Sequence, residues 1–449
     1  MRHENGVNME PRLSRSFHWL NAAQFCGALN DNIFKLLAIF FIITMRGPDA
    51  AGMAVAVGNA VFVIPFLLFS ATAGVLADRL SKRDIVIRVK VAEIGIMLLA
   101  VLAFWIQSQF ALLAVLFLLS TQSAFFSPPK YGIVPELVGR DQLSRANALI
   151  QAFTYLAIIL GTAFAPFISQ VTGRNYLLAS LSCVVVAVAG LLTSMPIQRT
   201  PPAGSTARAS WFFLGDIWRT LAGIRSDGYL FLAVLASAYF LMVGAFFQLN
   251  LIPYSIQTLG LSQEAGGYLF LLAALGIGLG SLLAGRLSGR NVELGVVPIG
   301  AFGLMLACLL LGSIGGGMVK VCLLVFAIGL SSGLFIVPVQ AWIQFRSPQA
   351  KMGEILAASN FLSWVGVLLA SGLIYVLGEF LHMSAKQGFL VVGWMTLVLT
   401  LVTLWVLPDF FLRFLGVLIT RLVYRLRIIG AENIPLEGPA LLVCNHVSY

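Results

Sequence analysis

The sequence predicts an all-α polytopic membrane protein with twelve transmembrane helices in two six-helix pseudo-repeats and with both termini in the cytoplasm. Three observations predict this fold class. Long apolar stretches recur along the 449 residues, basic residues collect on alternate connections, and the two halves of the chain resemble each other. The composition agrees, because 59% of the residues are hydrophobic and only 10% are charged. A soluble domain could not bury that much apolar surface.

The elements follow from the lengths of the apolar stretches. A helix needs about 20 mostly apolar residues to cross the hydrocarbon core of a bilayer. The predicted spans are 17–45, 50–77, 84–107, 109–129, 144–172, 174–195, 229–259, 264–287, 292–314, 317–345, 352–378 and 384–407.

The orientation follows from the distribution of the 28 Lys and Arg residues. Nearly all of them lie on the side of the two termini and of the central linker, which the positive-inside rule makes cytoplasmic. Arg88 and Lys90 are interpreted as ordinary basic residues flanking one of these loops. The net charge of +10 is thereby explained by topology and anionic lipid, and no nucleic-acid partner is predicted. The exceptions, on the other side, are Arg46, Arg174, Lys320 and Lys386.

The chain divides into two halves at a Pro-rich and charged linker. The run LADRLSKRD at 76–84 is echoed by LAGRLSGRN at 283–291. Repeats of this kind enclose a cavity that opens alternately to each side of the membrane, which favours a carrier. The linker includes an amphipathic stretch at 211–225 that predicts an interfacial helix. The predicted regions are 1–16 (cytoplasmic tail), 17–195 (first bundle), 196–228 (linker), 229–407 (second bundle) and 408–449 (interfacial helix and a further segment).

The most informative polar residues inside a predicted span are Asn30, Asp31 and Lys35. Asp31 and Lys35 are four residues apart, so one helical turn places them on the same face, where they could pair. Intramembrane charges normally face an interior and mark a transport path, although a helix-packing ion pair is the structural alternative. Four more polar residues are candidates for the lining of the central cavity: Asn59, Gln122, Gln248 and Asn250.

The segment from Gly74 to Arg83 resembles the signature loop of the major facilitator superfamily, G-x-L-A-D-R-x-G-R-[RK], except that Ser81 replaces the second Gly. The resemblance implies the twelve-helix fold of that family. It also implies a cytoplasmic latch between the halves, formed here by Asp78, Arg79 and Arg83.

Residues 127–137, SPPKYGIVPEL, resemble a loop of the bacterial lysophospholipid transporters, and so do the NDN segment with Lys35 and the run FIVPVQA at 335–341. This resemblance implies that lysophospholipids move from the outer to the inner leaflet of the bacterial inner membrane. Lys35 would meet the phosphate, and Asp31 would meet an ethanolamine ammonium or a coupling proton or sodium ion. No other cofactor and no metal site is predicted.

The segment after the last span resembles the start of a glycerolipid acyltransferase domain, with the runs IIGAENIP at 428–435 and GPALLVCNHVSY at 438–449. The family motif H-x-x-x-x-D makes His446 the candidate general base, and its Asp partner would fall at position 451. The resemblance implies a fused, here truncated, domain that reacylates the lysolipid from an acyl donor or acyl carrier protein. Two alternatives stay open: an exporter of drugs or other small solutes, and an acyltransferase that uses the spans only as an anchor.

Overall fold

The computed structural model describes residues 13–47, 51–206, 213–261, 263–289, 291–313 and 317–424. Within these ranges the regular elements are helices, with no strand, and a helix occupies each predicted span to within a few residues. The first half contains α1 (Arg15–Arg46), α2 (Ala51–Arg79), α3 (Lys82–Trp105), α4 (Gln109–Gly132), the short α5 (Val134–Leu137), α6 (Leu143–Val171) and α7 (Tyr176–Ser194). The remainder contains α8 (Phe213–Ile224), α9 (Gly228–Leu259), α10 (Gln263–Ser288), α11 (Val296–Ser313), α12 (Met318–Arg346), α13 (Met352–Tyr375), α14 (Ala385–Val406) and α15 (Pro408–Val423).

Several long helices begin at a side chain that caps their first turn. The first backbone N–H groups of a helix have no partner within the helix, and a Ser, Asn or Asp at the N-cap accepts from one of them. In each of five helices the side chain accepts from the N–H three residues further on. These caps are Ser14 for α1, Ser108 for α4, Asn175 for α7, Asp227 for α9 and Ser384 for α14.

Eleven helices in the described part of the chain are long and apolar enough to cross a membrane. Of the helices at the predicted spans, α3 is the one that does not meet this standard; it corresponds to the third predicted span. It has 24 residues, but its first half carries six charged side chains, including Lys90 and Glu93. Its place between α2 and α4, and its packing on α4 and α7, match those of its neighbours. The count of twelve spans and the cytoplasmic position of the termini stay predictions.

Each half packs around its own apolar core. In the first half, Phe34, Phe41, Phe104 and Tyr176 meet edge-on or stacked between α1, α3 and α7. In the second half, Phe389 of α14 fills the same kind of space, where it packs against aromatic side chains of α9. Such ring pairs add to the packing energy of burial and give each bundle a rigid centre.

The halves meet mainly along two helix pairs, α2 with α13 and α6 with α10, with smaller contacts of α6 with α12 and of α4 with α13. Glycine permits both close approaches. A Cβ at Gly74 of α2 would lie 2.5 Å from the Cβ of Ala357 in α13. A Cβ at Gly285 of α10 would lie 2.7 Å from the Cβ of Ala148 in α6. Both contacts are at the helix ends predicted to be cytoplasmic, so the halves are closed against each other on that side.

The helix α8 lies in the linker, where the amphipathic pattern predicted one, and it packs against α2 and α13. Two of its own side chains, Ile217 and Ile224, are buried, whereas its Trp218 is 73% exposed. The helix α15 lies against α11 and α14, and its Arg413 donates to the carboxylate of Glu293 at 3.0 Å. Both helices keep one apolar face outward, which is what a position at the lipid–water boundary requires.

Candidate functional site

A buried polar cluster lies between α1, α3 and α4 of the first half. Its centre is Glu93, which has no exposed side-chain surface. The carboxylate accepts from Asn30 Nδ2 at 2.8 Å, from Lys90 Nζ at 2.7 Å and from Gln122 Nε2 at 3.3 Å. We call Asn30, Asp31, Lys90, Glu93, Gln122 and Ser123 the polar cluster.

Asp31 lies at the more exposed end of the polar cluster. Ser123 Oγ lies 2.8 Å from Asp31 Oδ2, to which it donates, and 3.1 Å from Gln122 Oε1. The hydroxyl has a single proton, so when it donates to Asp31 it cannot also donate to the Gln122 oxygen. Asp31 therefore adjoins the cluster without a continuous chain of hydrogen bonds to Glu93. Asp31 is half-buried, whereas Asn30 is fully buried. The cluster thus runs from the interior of the bundle to a partly accessible carboxylate.

The expected pairing of Asp31 with Lys35 is not observed: among the described residues the two form no ion pair with each other. The ammonium of Lys35 instead lies 5.2 Å from the ring centre of Phe62 in α2. The half-buried Lys35 is therefore held by a cation–π contact with this ring. The carboxylate of Asp31 accepts a hydrogen bond from Ser123 instead. The two charges belong to the same helix, but each has a partner on a different neighbouring helix.

Lys35 lies at the seam between the halves. Phe62 meets the indole ring of Trp364 in α13 at 6.2 Å, and Phe66 stacks on that ring at 4.4 Å. Trp364 Nε1 is buried and has no hydrogen-bond partner among the residues that the structure describes. The Lys35 ammonium of α1 and the indole ring of Trp364 in α13 therefore both contact Phe62 of α2, whereas the Asp31 carboxylate contacts Ser123 of α4.

The interpretation of Lys90 as a basic residue flanking a loop is wrong. Lys90 lies in the third turn of α3, its side chain is fully buried, and it pairs with Glu93. The spacing of three places both groups on one helical face. Two charges of opposite sign at that spacing, so close to an apolar run, were the sequence signal for a buried pair. Arg88, on the opposite face, is exposed as expected.

The other predicted cavity residues do not come together with the polar cluster, except for Gln122. Asn59 of α2 and Gln248 of α9 are exposed in this structure. Asn250 is buried, and its Nδ2 donates to the carbonyl of Ala385 at 2.7 Å, which joins α9 to the start of α14. Its contact is that of an interhelical hydrogen bond within the second half.

Of the three predicted latch residues, Asp78 joins the halves at the contact between α2 and α13, whereas Arg79 and Arg83 do not bridge the halves in the part of the chain that the structure describes. Asp78 is fully buried, and its carboxylate accepts from the backbone N–H groups of Gly353 at 2.6 Å and Glu354 at 2.9 Å. It therefore caps the amino terminus of a helix in the opposite half. Arg83 donates to the carbonyls of Met195 and Ile197, within the first half and the start of the linker. Arg79 is exposed.

A second polar contact between the halves was missed by sequence reasoning. Asn147 of α6 and Gln344 of α12 exchange two amide hydrogen bonds, at 2.7 and 3.1 Å, and both side chains are buried. Within the first half, Lys82 pairs with Glu136 of the SPPKYGIVPEL segment. Neither pair could be predicted from one sequence, because the two residues of each pair are far apart in the chain. His446 lies outside the described residues.

The comparisons with known proteins agree with this architecture. The family model described as Major Facilitator Superfamily matches residues 20–371. The lysophospholipid transporter LplT of Yersinia pestis (strain Pestoides F) is 26% identical over 373 residues, which cover 81% of this chain and 87% of that protein. The corresponding protein of Yersinia pseudotuberculosis serotype O:3 (strain YPIII) gives the same values.

Solved structures share the fold at low identity. The human organic anion transporter MFSD10 (TETRAN) aligns with a TM-score of 0.69 and 16% identity, covering 86% of this chain and 99% of that one. The transporter FucP in its outward conformation also gives 0.69, at 15% identity, covering 86% and 97%. Because the family model spans most of the sequence and the helices follow the same arrangement, this chain belongs to the Major Facilitator Superfamily.

Proposed function

We propose that this protein moves lysophospholipids from the outer to the inner leaflet of a bacterial cytoplasmic membrane. The observation that carries the proposal is the pair of separate, half-buried charges, Asp31 and Lys35, near the seam between the halves. A carboxylate and an ammonium that do not neutralise each other complement a zwitterionic headgroup. The lysophospholipid transporters of Yersinia, similar over most of this chain, support the same substrate class.

The headgroup explains why a polar site is needed. The single acyl chain of a lysophospholipid is soluble in hydrocarbon, but burying its phosphate or ammonium there without a partner has a prohibitive free-energy cost. In the proposed complex Lys35 leaves the ring of Phe62 and binds the phosphate, and the free indole N–H of Trp364 donates to a phosphate oxygen. Asp31 receives the ammonium of an ethanolamine head. The acyl chain stays in the lipid through a lateral gap between the halves.

Transport follows by alternating access between the two bundles. In this structure the halves are closed at the ends predicted to be cytoplasmic, where Asp78 caps α13. A headgroup from the outer leaflet would enter from the opposite side. Rocking of the halves would then break the contacts of α2 with α13 and of α6 with α10. The proposed topology has twelve spans, with α3 as the third, and places both termini inside.

Reacylation gives the movement a direction. A zwitterionic head carries no net charge across the membrane, so the membrane potential does not oppose its movement. Moving one negative charge inward against the membrane potential costs about 2.3 kcal/mol per 100 mV. The segment 428–449 resembles the start of an acyltransferase domain, with His446 as its general base. An enzyme fused there would consume the lysolipid on the inner face at high effective concentration.

The test is flux of labelled lysophosphatidylethanolamine into the inner leaflet of proteoliposomes. The unaltered protein should accelerate it, and Lys35→Met should abolish the acceleration while the thermal unfolding profile is retained. Lys320→Met is the matched control, because Lys320 is exposed in the first turn of α12. Unchanged flux in Lys35→Met refutes the headgroup assignment. Export of soluble compounds without any movement of lysolipid would favour the small-solute exporter instead.

A further inference from the structure

Lys90 occupies a compartment that is built around its ammonium group. A Cβ at Gly27 of α1 would lie 2.6 Å from Lys90 Nζ, and one at Gly190 of α7 would lie 3.4 Å from it. The ring of Phe126 is 5.1 Å away. Two glycines on different helices therefore leave the space that the ammonium fills, and an aromatic face closes one side of it.

One carboxylate and two side-chain amides lie around this compartment. The carboxylate of Glu93 lies 2.7 Å from Lys90 Nζ, and the side-chain N–H groups of Asn30 and Gln122 donate to the same carboxylate. Asn30 Oδ1 is fully buried and accepts no hydrogen bond from any residue that the structure describes. A buried acceptor without a donor is costly, so the Asn30 oxygen has unused capacity to accept from a donor or to bind a cation. Carboxylate and amide oxygens are the ligands that hard cations prefer.

We propose that the ammonium of Lys90 is a tethered cation that occupies an inorganic cation site, so that the polar cluster needs no bound sodium ion. In the absence of the lysine side chain, Glu93 would be an uncompensated buried charge. Sodium could then bind to Glu93 and to the Asn30 oxygen, in the space that the ammonium has left. The unaltered protein is consequently predicted to be insensitive to sodium, whereas a variant without the ammonium is predicted to depend on it.

The primary experiment measures thermal unfolding and does not rest on the proposed function. The unaltered protein and Lys90→Ala are purified in sodium chloride and exchanged into N-methylglucamine chloride, whose cation is too large for the compartment. The unaltered protein should unfold at the same temperature in both salts. Lys90→Ala should be stabilised by sodium by about 2 °C or more, because a ligand that binds only the folded state raises its stability.

Two further variants separate this explanation from a general effect of salt. Lys82→Ala removes another buried lysine of α3, but its partner Glu136 is 22% exposed and can be hydrated, so no sodium dependence is expected. The double variant Lys90→Ala/Glu93→Gln removes both charges, and its unfolding temperature should again be the same in the two salts. A sodium effect of equal size in all variants would overturn the proposal.

The flux assay provides a second readout, which does rest on the proposed function. In N-methylglucamine, Lys90→Ala should transport lysolipid at least about tenfold more slowly than in sodium, because an unpaired buried charge is strongly destabilising. If the unaltered protein moves no lysolipid, the proposed function fails, but the unfolding measurements still test the tethered cation.

Three further results would overturn the proposal. One is a sodium-dependent unfolding temperature or flux in the unaltered protein. Another is a Lys90→Ala variant that folds but does not respond to sodium. The third is a Lys90→Ala variant that fails to fold in either salt while the double variant with Glu93→Gln folds, because sodium then does not replace the ammonium.

Discussion

The carboxylate of Asp78, in the first half, accepts a hydrogen bond of 2.6 Å from the backbone N–H of Gly353, in the second half. The same carboxylate accepts from the next N–H along α13. A negative side chain at a helix amino terminus is favoured both by these donors and by the helix dipole. The corresponding position in the internal repeat is Gly285, which packs directly on α6. One of the two closing contacts is therefore centred on a carboxylate, whereas its counterpart combines close packing at a glycine with a hydrogen bond of 3.0 Å from Ser144 Oγ to the carbonyl of Asn291.

Replacing Asp78 with Ala should shift the protein towards the state that is open on the predicted cytoplasmic side. Loss of a helix cap costs about 1–2 kcal/mol, which is a factor of about 5–30 in the ratio of closed to open molecules. Spin labels on Arg88 and Lys351, exposed residues of opposite halves, would report the change as a longer distance. Asp84→Ala is the control, because Asp84 pairs with Arg83 and Arg199 and not across the seam. An unchanged distance in Asp78→Ala would contradict the capping role.

A methyl group at Gly74 should prevent the same closure. The added Cβ would lie 2.6 Å from the carbonyl oxygen of Gly353, and rigid backbone cannot yield as a flexible side chain would. We expect Gly74→Ala to slow transport and to lengthen the distance between the two labels. The control is Gly95→Ala in α3, where no atom lies within 4 Å of the new Cβ. That change should stabilise the helix by up to about 1 kcal/mol, because alanine is the better helix former. Equal flux in both variants would refute the prediction.

The carboxylate of Asp31 should determine headgroup preference. Asp31→Asn removes the negative charge but keeps an oxygen that can accept from Ser123. A hydrogen bond to a charged group contributes about 1.5–3 kcal/mol, so flux of lysophosphatidylethanolamine should fall by at least about tenfold. Flux of lysophosphatidylglycerol, which has no ammonium, should change much less. The measurement is the ratio of the two fluxes in one vesicle preparation. A ratio that stays constant would show that Asp31 does not bind the ammonium.

The amide pair of Asn147 and Gln344 should couple the halves by a measurable amount. Interhelical hydrogen bonds in membrane proteins contribute about 0.6 kcal/mol on average and up to about 1.7 kcal/mol. The two single alanine variants and the double variant form a cycle, and denaturant unfolding in detergent gives the coupling energy. We expect a value towards the upper limit, because two bonds link two buried side chains. Strictly additive effects would argue against the contact.

The sequence was most informative about the membrane-spanning elements. The length of an apolar stretch and the charge of a loop are properties of that segment alone. They therefore predicted helices such as Arg15–Arg46 and Met318–Arg346 without any information about which helices pack together. Side-chain partners were predicted less well. Asp31 was expected to pair with Lys35 on its own helix, but Ser123 of another helix provides the closer donor. Lys90 was assigned to a basic flank because its sequence neighbours are basic.

By itself, therefore, the sequence determined that the chain is a two-part helical membrane protein. The motif around Asp78 indicated its family, and the NDN segment led to the substrate class that is proposed above. Only the tertiary structure decided which charges are neutralised, because hydrogen bonds such as those of Glu93 join helices that are distant in the chain. The physical reason is that hydrophobicity is a property of each segment alone, whereas the state of a buried charge depends on the few atoms that packing brings within 3 Å or so of it.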